Sequence, residues 1–159
     1  MEVIIRRAEA TDVPAMLALV KELAAFEREP EAVVVTEAEM IEAGFGEKPV
    51  WFGWVAEIHV ASEGATSGEL VGAAICYERY STWKGRCLYL EDLVVKENAR
   101  RQQIGERLFT ACADHARSRD FRLMTWQVLD WNVDAIRFYE RLGAEIGSGW
   151  LNGILQLKK

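Results

Sequence analysis

The run Leu88-Tyr89-Leu90-Glu91-Asp92-Leu93-Val94-Val95-Lys96-Glu97-Asn98-Ala99-Arg100-Arg101-Gln102-Gln103-Ile104-Gly105 decides the fold. Its first half is apolar on both sides of an acidic pair, the pattern of a buried central strand. A polar turn follows. From Arg101 to Arg119 the residues Ile104, Leu108, Ala111, Cys112 and His115 recur on one helical stripe. Free N–H groups at such a helix start face outward, and the helix dipole adds partial positive charge there. With Arg100 and Arg101 alongside, this end is suited to a diphosphate. A solvated basic turn that merely caps the helix would use the same residues.

Beyond the helix, Phe121 to Val128 reads as a fifth strand, and a strand-helix-strand unit predicts a right-handed parallel crossover. On the N-terminal side, Val3 to Arg7 is a β-branched first strand. Val13, Met16, Leu17, Val20, Leu23 and Ala24 then keep helical spacing, with Thr11 or Asp12 as N-cap and Pro14 in the first turn. Thr36-Glu37-Ala38-Glu39 has the form of a capping box opening a second helix that ends at Gly44. Strands follow at Trp51 to Val60 and Glu69 to Glu78, joined by a polar hairpin loop over Ser62 to Gly68. Arg86 to Val95 is the fourth. Asn132 caps a last helix through Leu142, with Gly143 as its C′ residue. Glu145-Ile146 and Trp150 to Leu157 read as a closing hairpin. The expectation is one α/β domain over residues 1–159. Its mixed, mostly antiparallel sheet is flanked by helices and has one parallel crossover from the fourth strand through the third helix to the fifth.

Bulk properties narrow the function. A chain of 159 residues, 50% hydrophobic and 28% charged, is ordinary for a soluble globular protein. The formal net charge of −6 argues against nucleic acid as partner and suits a cationic one. Cys76, Cys87 and Cys112 have no paired spacing, and His59 and His115 lie far apart, so no metal site is expected. Three reduced thiols, the lack of an apolar run of membrane-spanning length and an N-terminus without a secretory pattern predict a cytoplasmic protein.

Two groups stand out as chemistry-bearing. An acid inside an apolar strand is costly unless partnered or functional, which singles out Glu91 and Asp92. As neighbours on a regular strand they would point to opposite faces, so one at most serves a given cavity. Tyr139 is a phenol on the last helix, mostly protonated at neutral pH. It is either a proton donor or an amphipathic core residue.

Strings along nearly the whole chain carry a resemblance. They are Ile5-Arg6, Lys21-Glu22-Leu23-Ala24, Thr36-Glu37, Gly44-Phe45-Gly46-Glu47, Val55-Ala56-Glu57 and Trp83-x-Gly85. Further on come Leu88-Tyr89-Leu90-Glu91-Asp92, Trp131-Asn132, Phe138-Tyr139 and Gly149-Trp150. In these the sequence resembles the GNAT superfamily of acetyltransferases, and within it the spermidine/spermine (diamine) N-acetyltransferase branch. Arg100 to Gly105 is similar to that superfamily's acetyl-CoA signature, except that Gln103 stands where the family has glycine.

The resemblance implies an acetyl-CoA-dependent N-acetyltransferase of a small cationic amine. It implies Tyr139 as general acid and Glu91 as base acting through water. Backbone groups of Leu93, Val94 and Val95 would hold the pantetheine arm. Arg100, Arg101, Gln102, Gln103, Ile104, Gly105 and Glu106 would surround the pyrophosphate, and Asn132 and Ala135 would touch the cofactor, although a plain N-cap explains Asn132 equally well. Phe26, Glu27, Trp83, Trp126 and Gln127 would contact the amine. Ser81 stands in place of an aspartate of the polyamine enzymes, and the segment before Gly149-Trp150 is shorter and lacks a glutamate, which weakens the spermidine reading and puts a shorter amine such as a diamine or thialysine on at least an equal footing. A homodimer is expected from the same likeness. A CoA-sensing domain without turnover, and an acetyltransferase of protein N-termini or lysines, are the competing readings.

Overall fold

The computed structural model describes residues 1–62 and 65–158. It divides into two compact units, Met1–Gln127 and Val128–Lys159.

The first unit is a five-stranded sheet between helices. Its elements are β1 (Glu2–Arg7), α1 (Val13–Phe26), α2 (Glu37–Phe45), β2 (Phe52–Ser62), β3 (Ala65–Ser81), β4 (Gly85–Val95), α3 (Ile104–Ser118) and β5 (Met124–Thr125). The strands lie in sequence order. Every pair is antiparallel except β4 with β5, which is parallel across the α3 connection. The expected mixed sheet is therefore present.

Two apolar layers hold it together. On one face Trp54, Ala56, Val71, Ala74, Cys76, Leu88 and Leu90 pack against Ile104, Leu108, Cys112 and Ala116 of α3. On the other, Val55, Ala73, Ile75 and Val94 pack against Val13, Met16, Leu17 and Leu19 of α1 and Met40 of α2. Fully burying one such side chain contributes about 1.5–3 kcal/mol, which makes these layers the dominant stabilising term.

The helix starts show how local chemistry sets boundaries. Thr36 Oγ1 accepts from Glu39 N–H (3.1 Å) and Glu39 Oε2 accepts from Thr36 N–H (2.9 Å), the reciprocal cap read from sequence. At α1, Asp12 occupies the N-cap position, yet its side chain does not cap that helix. The carboxylate instead accepts two bonds from Arg6 (2.7 and 2.9 Å) and one from Glu9 N–H (2.8 Å). Arg6 also donates to Glu57 (3.1 Å), which ties β1, β2 and the entrance to α1 into one charged knot.

Several expectations need correction. The loop over Ser62 to Gly68 is largely strand, since His59 to Ser62 pair with Gly68 to Ala65; Glu63 and Gly64 lie outside the described residues. The third helix begins at Ile104, so Arg101, Gln102 and Gln103 belong to the turn. The fifth strand is two residues long, pairing only with Leu88 and Tyr89.

In the second unit Asn132 Oδ1 accepts from Ala135 N–H (3.2 Å) and opens α4 (Val133–Arg141). Gly143 follows in the left-handed conformation, φ 91°. Glu145-Ile146 and Trp150 to Leu157 form no hairpin: residues 144–158 have no regular structure. Gly147, Gly149 and Gly153 interrupt the run, and glycine weakens a strand for want of a side chain to pack.

Candidate active site

Two neighbouring features of the first unit carry chemistry. One is the junction of β4 with α3. β5 pairs with Leu88 and Tyr89 only, so among the described residues no strand covers that edge of β4 from Leu90 to Val95. The other edge is bonded to β3, with Leu93, Val94 and Val95 opposite Ala74, Ala73 and Gly72. An uncovered strand edge presents N–H and C=O groups that an extended amide chain can pair with.

The turn beyond it is shaped by two non-glycine residues in the left-handed region, Arg101 (φ 67°) and Gln103 (φ 60°). Such conformations cost about 1–2 kcal/mol each outside glycine. Gln103 is the N-cap of α3 but gives no side-chain cap. The first helical bond is Arg107 N–H to Gln103 C=O (2.9 Å), so the N–H groups of Ile104, Gly105 and Glu106 have no acceptor within the helix. Ile104, 1% exposed, anchors this end in the core. Arg100 is held from below: its Nε donates to Val95 C=O (3.2 Å), and its guanidinium lies 6.0 Å from the Phe26 ring. Three unengaged N–H groups, a helix dipole, two arginines and an open strand edge fit a pyrophosphate with an amide-bearing arm.

The second feature is an acidic and aromatic face made by a β-bulge. Ile75 pairs with Asp92 and Cys76 with Leu90, which leaves Glu91 as an extra residue on β4. Leu88 and Leu90, then Leu93 and Val95, all pack toward α3, so the alternation slips by one at the bulge. Glu91 and Asp92 therefore share the side away from α3, contrary to the opposite-face expectation. Tyr77 and Tyr89, cross-strand partners with rings 5.0 Å apart, precede them on that face.

The same crowding shifts the acids and phenols of this face. Burial, then the charges of Glu91 and Glu27, push the Asp92 carboxyl from 3.8 up to about 6. Glu27, at the C-terminal cap of α1, is raised by burial. Tyr77 and Tyr89 are both raised, by burial first and then by Glu91. Three carboxyl groups meet here beside two phenol rings. A cation entering this face would relieve like-charge repulsion and gain ring contacts.

The structure thus brings together Phe26, Glu27, Glu91, Leu93, Val94, Val95 and Arg100 to Glu106. Sequence reasoning missed Tyr77 and Tyr89 and allowed only one of Glu91 and Asp92 to serve the cavity; the register with its one bulged residue shows otherwise. Trp83 lies elsewhere: it is 85% exposed on the turn between β3 and β4, where Ser81 Oγ accepts from its N–H (3.2 Å). Trp126, just past β5, packs edge-on against Phe109 (5.4 Å), with Gln127 following. In the second unit Tyr139 is the buried residue of α4 and stacks edge-on with Phe138 (5.2 Å). The Ala135 N–H is taken by Asn132, which makes that asparagine a cap in fact.

Comparison with known proteins supplies the family. Residues 18–144 match the model of the "Acetyltransferase (GNAT) family". The bovine thialysine N-epsilon-acetyltransferase is 39% identical over 144 residues, covering 90% of this chain and 84% of that protein. The human spermidine/spermine N(1)-acetyltransferase-like protein 1 is 36% identical over 141 residues, 88% of this chain and 20% of the relative. An aminoglycoside N-acetyltransferase solved in complex with CoA superposes with a TM-score of 0.73 at 15% identity, over 98% of this chain and 95% of that one. At that identity the likeness speaks for the fold.

Proposed function

From the premise that the chain belongs to the acetyltransferase (GNAT) family, we propose that it acetylates a primary amine of a small cationic substrate: a diamine, a polyamine or a lysine analogue such as thialysine. The supporting observation is the face where Glu27, Glu91 and Asp92 gather with Tyr77 and Tyr89, alongside the open edge of β4. When bound, acetyl-CoA supplies the acetyl group as a reactive thioester.

The residues of the chain do the rest. Ile104, Gly105 and Glu106 N–H groups, with Arg100, Arg101, Gln102 and Gln103 around them, hold the pyrophosphate. Leu93, Val94 and Val95 would hold the pantetheine arm through their backbone, and one N–H would polarise the thioester carbonyl. Glu27, with Phe26, Trp126 and Gln127 as further contacts, draws in the ammonium. An alkyl ammonium has a pKa near ~10.4 and is almost fully protonated at neutral pH, so it must lose a proton before it attacks. Glu91 and Asp92, sharing one face, are the groups that accept that proton, with Glu91 acting through water. By the family likeness Tyr139 would supply the proton to the leaving sulfur. Trp83 is assigned no contact to the amine within one protomer.

The chain is proposed to work as one acetyltransferase domain, in the cytoplasm and as a homodimer. Among the described residues no helix is long and apolar enough to cross a membrane. The dimer is supported by Trp150, Leu151, Ile154, Leu155 and Leu157, each more than four-fifths exposed. Sedimentation should give twice the 18.0 kDa chain mass; a monomer at micromolar concentration would remove this part.

The function is tested by thiol release from acetyl-CoA against thialysine, short diamines, spermidine and peptides. Release with small diamines or thialysine and none with peptides is expected. Turnover confined to peptides would make it a protein acetyltransferase, and tight acetyl-CoA binding with no acceptor would make it a sensor.

A further inference from the structure

At the end of β4 and α3 remote from the cofactor turn, a concavity of about 450 Å³ opens between the start of β4 and the end of α3. Lys84, Arg86, Arg119 and Arg122 line it, together with the Ser118 hydroxyl and a single carboxylate, Asp120. In a chain of net charge −6, four cations around one depression are a local inversion of sign. The path along β4 from Arg86 to Val95 is about 30 Å at the usual strand rise, so the acetyl-CoA turn and this basin are separate places.

The cations are drawn from three segments, and the helix end does not account for them all. Arg119 sits at the α3 C-terminus, where a positive charge complements the dipole, and it reaches Glu78 at 3.5 Å. The last α3 carbonyls are already satisfied, His115 C=O by Ser118 Oγ (2.7 Å) and Ala116 C=O by Phe121 N–H (2.9 Å). Arg122 is braced by donating to Lys84 C=O (3.1 Å), which fixes the connection after α3 against the β3–β4 turn. Among the described residues no carboxylate lies within ion-pairing distance of Lys84, Arg86 or Arg122. With one lining carboxylate and one ion pair, from Arg119, against four cations, a net repulsion is left that an anion of several charges would reverse.

We propose that this basin is a second ligand site, for a small molecule carrying two or more closely spaced anionic groups, phosphate or carboxylate. The guanidinium forks of Arg86 and Arg122 match such oxygens in pairs, and Lys84 adds a point charge. The basin lies at the start of β4 and the cofactor turn follows its end, so a ligand here does not compete with acetyl-CoA for its turn.

The test is calorimetric titration of the full-length protein, first saturated with CoA so that the pyrophosphate turn is filled. Inorganic tripolyphosphate and citrate serve as separate probes, the first for phosphate and the second for carboxylate. One equivalent of either should still bind, and Arg86→Gln should weaken it about tenfold. Asp120→Asn, a change the left-handed backbone there (φ 57°) tolerates, removes the only lining carboxylate and should strengthen binding a few-fold. A gain cannot arise from misfolding, which guards against a trivial loss in Arg86→Gln. No binding of either probe after CoA saturation would overturn the proposal, as would binding that neither substitution changes.

Discussion

The turn from Arg100 to Glu106 and the acidic face around Asp92 are supplied by consecutive segments of chain, yet they are built in different ways. The turn works through backbone: N–H groups left over at the start of α3, oriented by two left-handed residues and anchored by Ile104. Apart from the two arginines, side-chain identity matters little there, which is how Gln103 can stand where the family has glycine. The acidic face works through side chains, and a single bulged residue decides which of them share it. One site tolerates sequence change and the other does not, so cofactor use is expected to be general and amine choice particular.

The comparison yields graded expectations. Tyr139→Phe should lower kcat by about 10²-fold or more if the phenol donates to the leaving sulfur, with acetyl-CoA affinity by calorimetry within about twofold of wild type. Unchanged turnover would remove Tyr139 from the mechanism. Arg100→Gln should raise the acetyl-CoA KM about tenfold through loss of a charge-assisted contact, while the amine KM stays level. An equal rise in both would show that the two regions are not separable.

Asp92→Asn separates them by pH. Burial raises this carboxyl from 3.8 to about 6, so the folded state retains a proton that the unfolded chain gives up. The associated stability is fully present below pH 4, is lost as pH rises to 6 and stays lost above. A shift of that size is at most about 3 kcal/mol, which solvent access reduces to about 1–2 kcal/mol. The substitution should therefore raise the unfolding free energy by about that amount at pH 8 and leave it unchanged at pH 4. Gln103→Gly, at the left-handed cap of α3, should stabilise the protein by about 0.5–1 kcal/mol in denaturant titration. Destabilisation would mean that the glutamine side chain is held by contacts that outweigh its backbone strain.

Much of this was legible in the sequence, for identifiable reasons. The capping box at Thr36, the α3 stripe through Ile104 and Leu108, and the Asn132 cap are local devices, readable without knowing the fold. Glu91-Asp92 reads the same whether or not the strand is bulged, since the slip shows only in the pairing with Ile75 and Cys76. Trp83 matched a family string, yet in one chain it lies on an exposed turn. The closing hairpin failed because the apolar residues of Trp150 to Leu157 come in adjacent pairs split by Gly153 and do not alternate as a half-buried strand does.

The central claim is that Glu91 and Asp92 act on the amine and not on the cofactor. Its most direct test is amine-dependent thiol release by the Glu91→Gln/Asp92→Asn protein at saturating acetyl-CoA, followed across pH with acetyl-CoA binding measured alongside. We expect kcat/KM for the amine to fall by about 10²-fold or more, and its remaining pH dependence to follow the amine alone, while acetyl-CoA binds as in wild type. Near-normal turnover, or a matching loss of acetyl-CoA affinity, would contradict it.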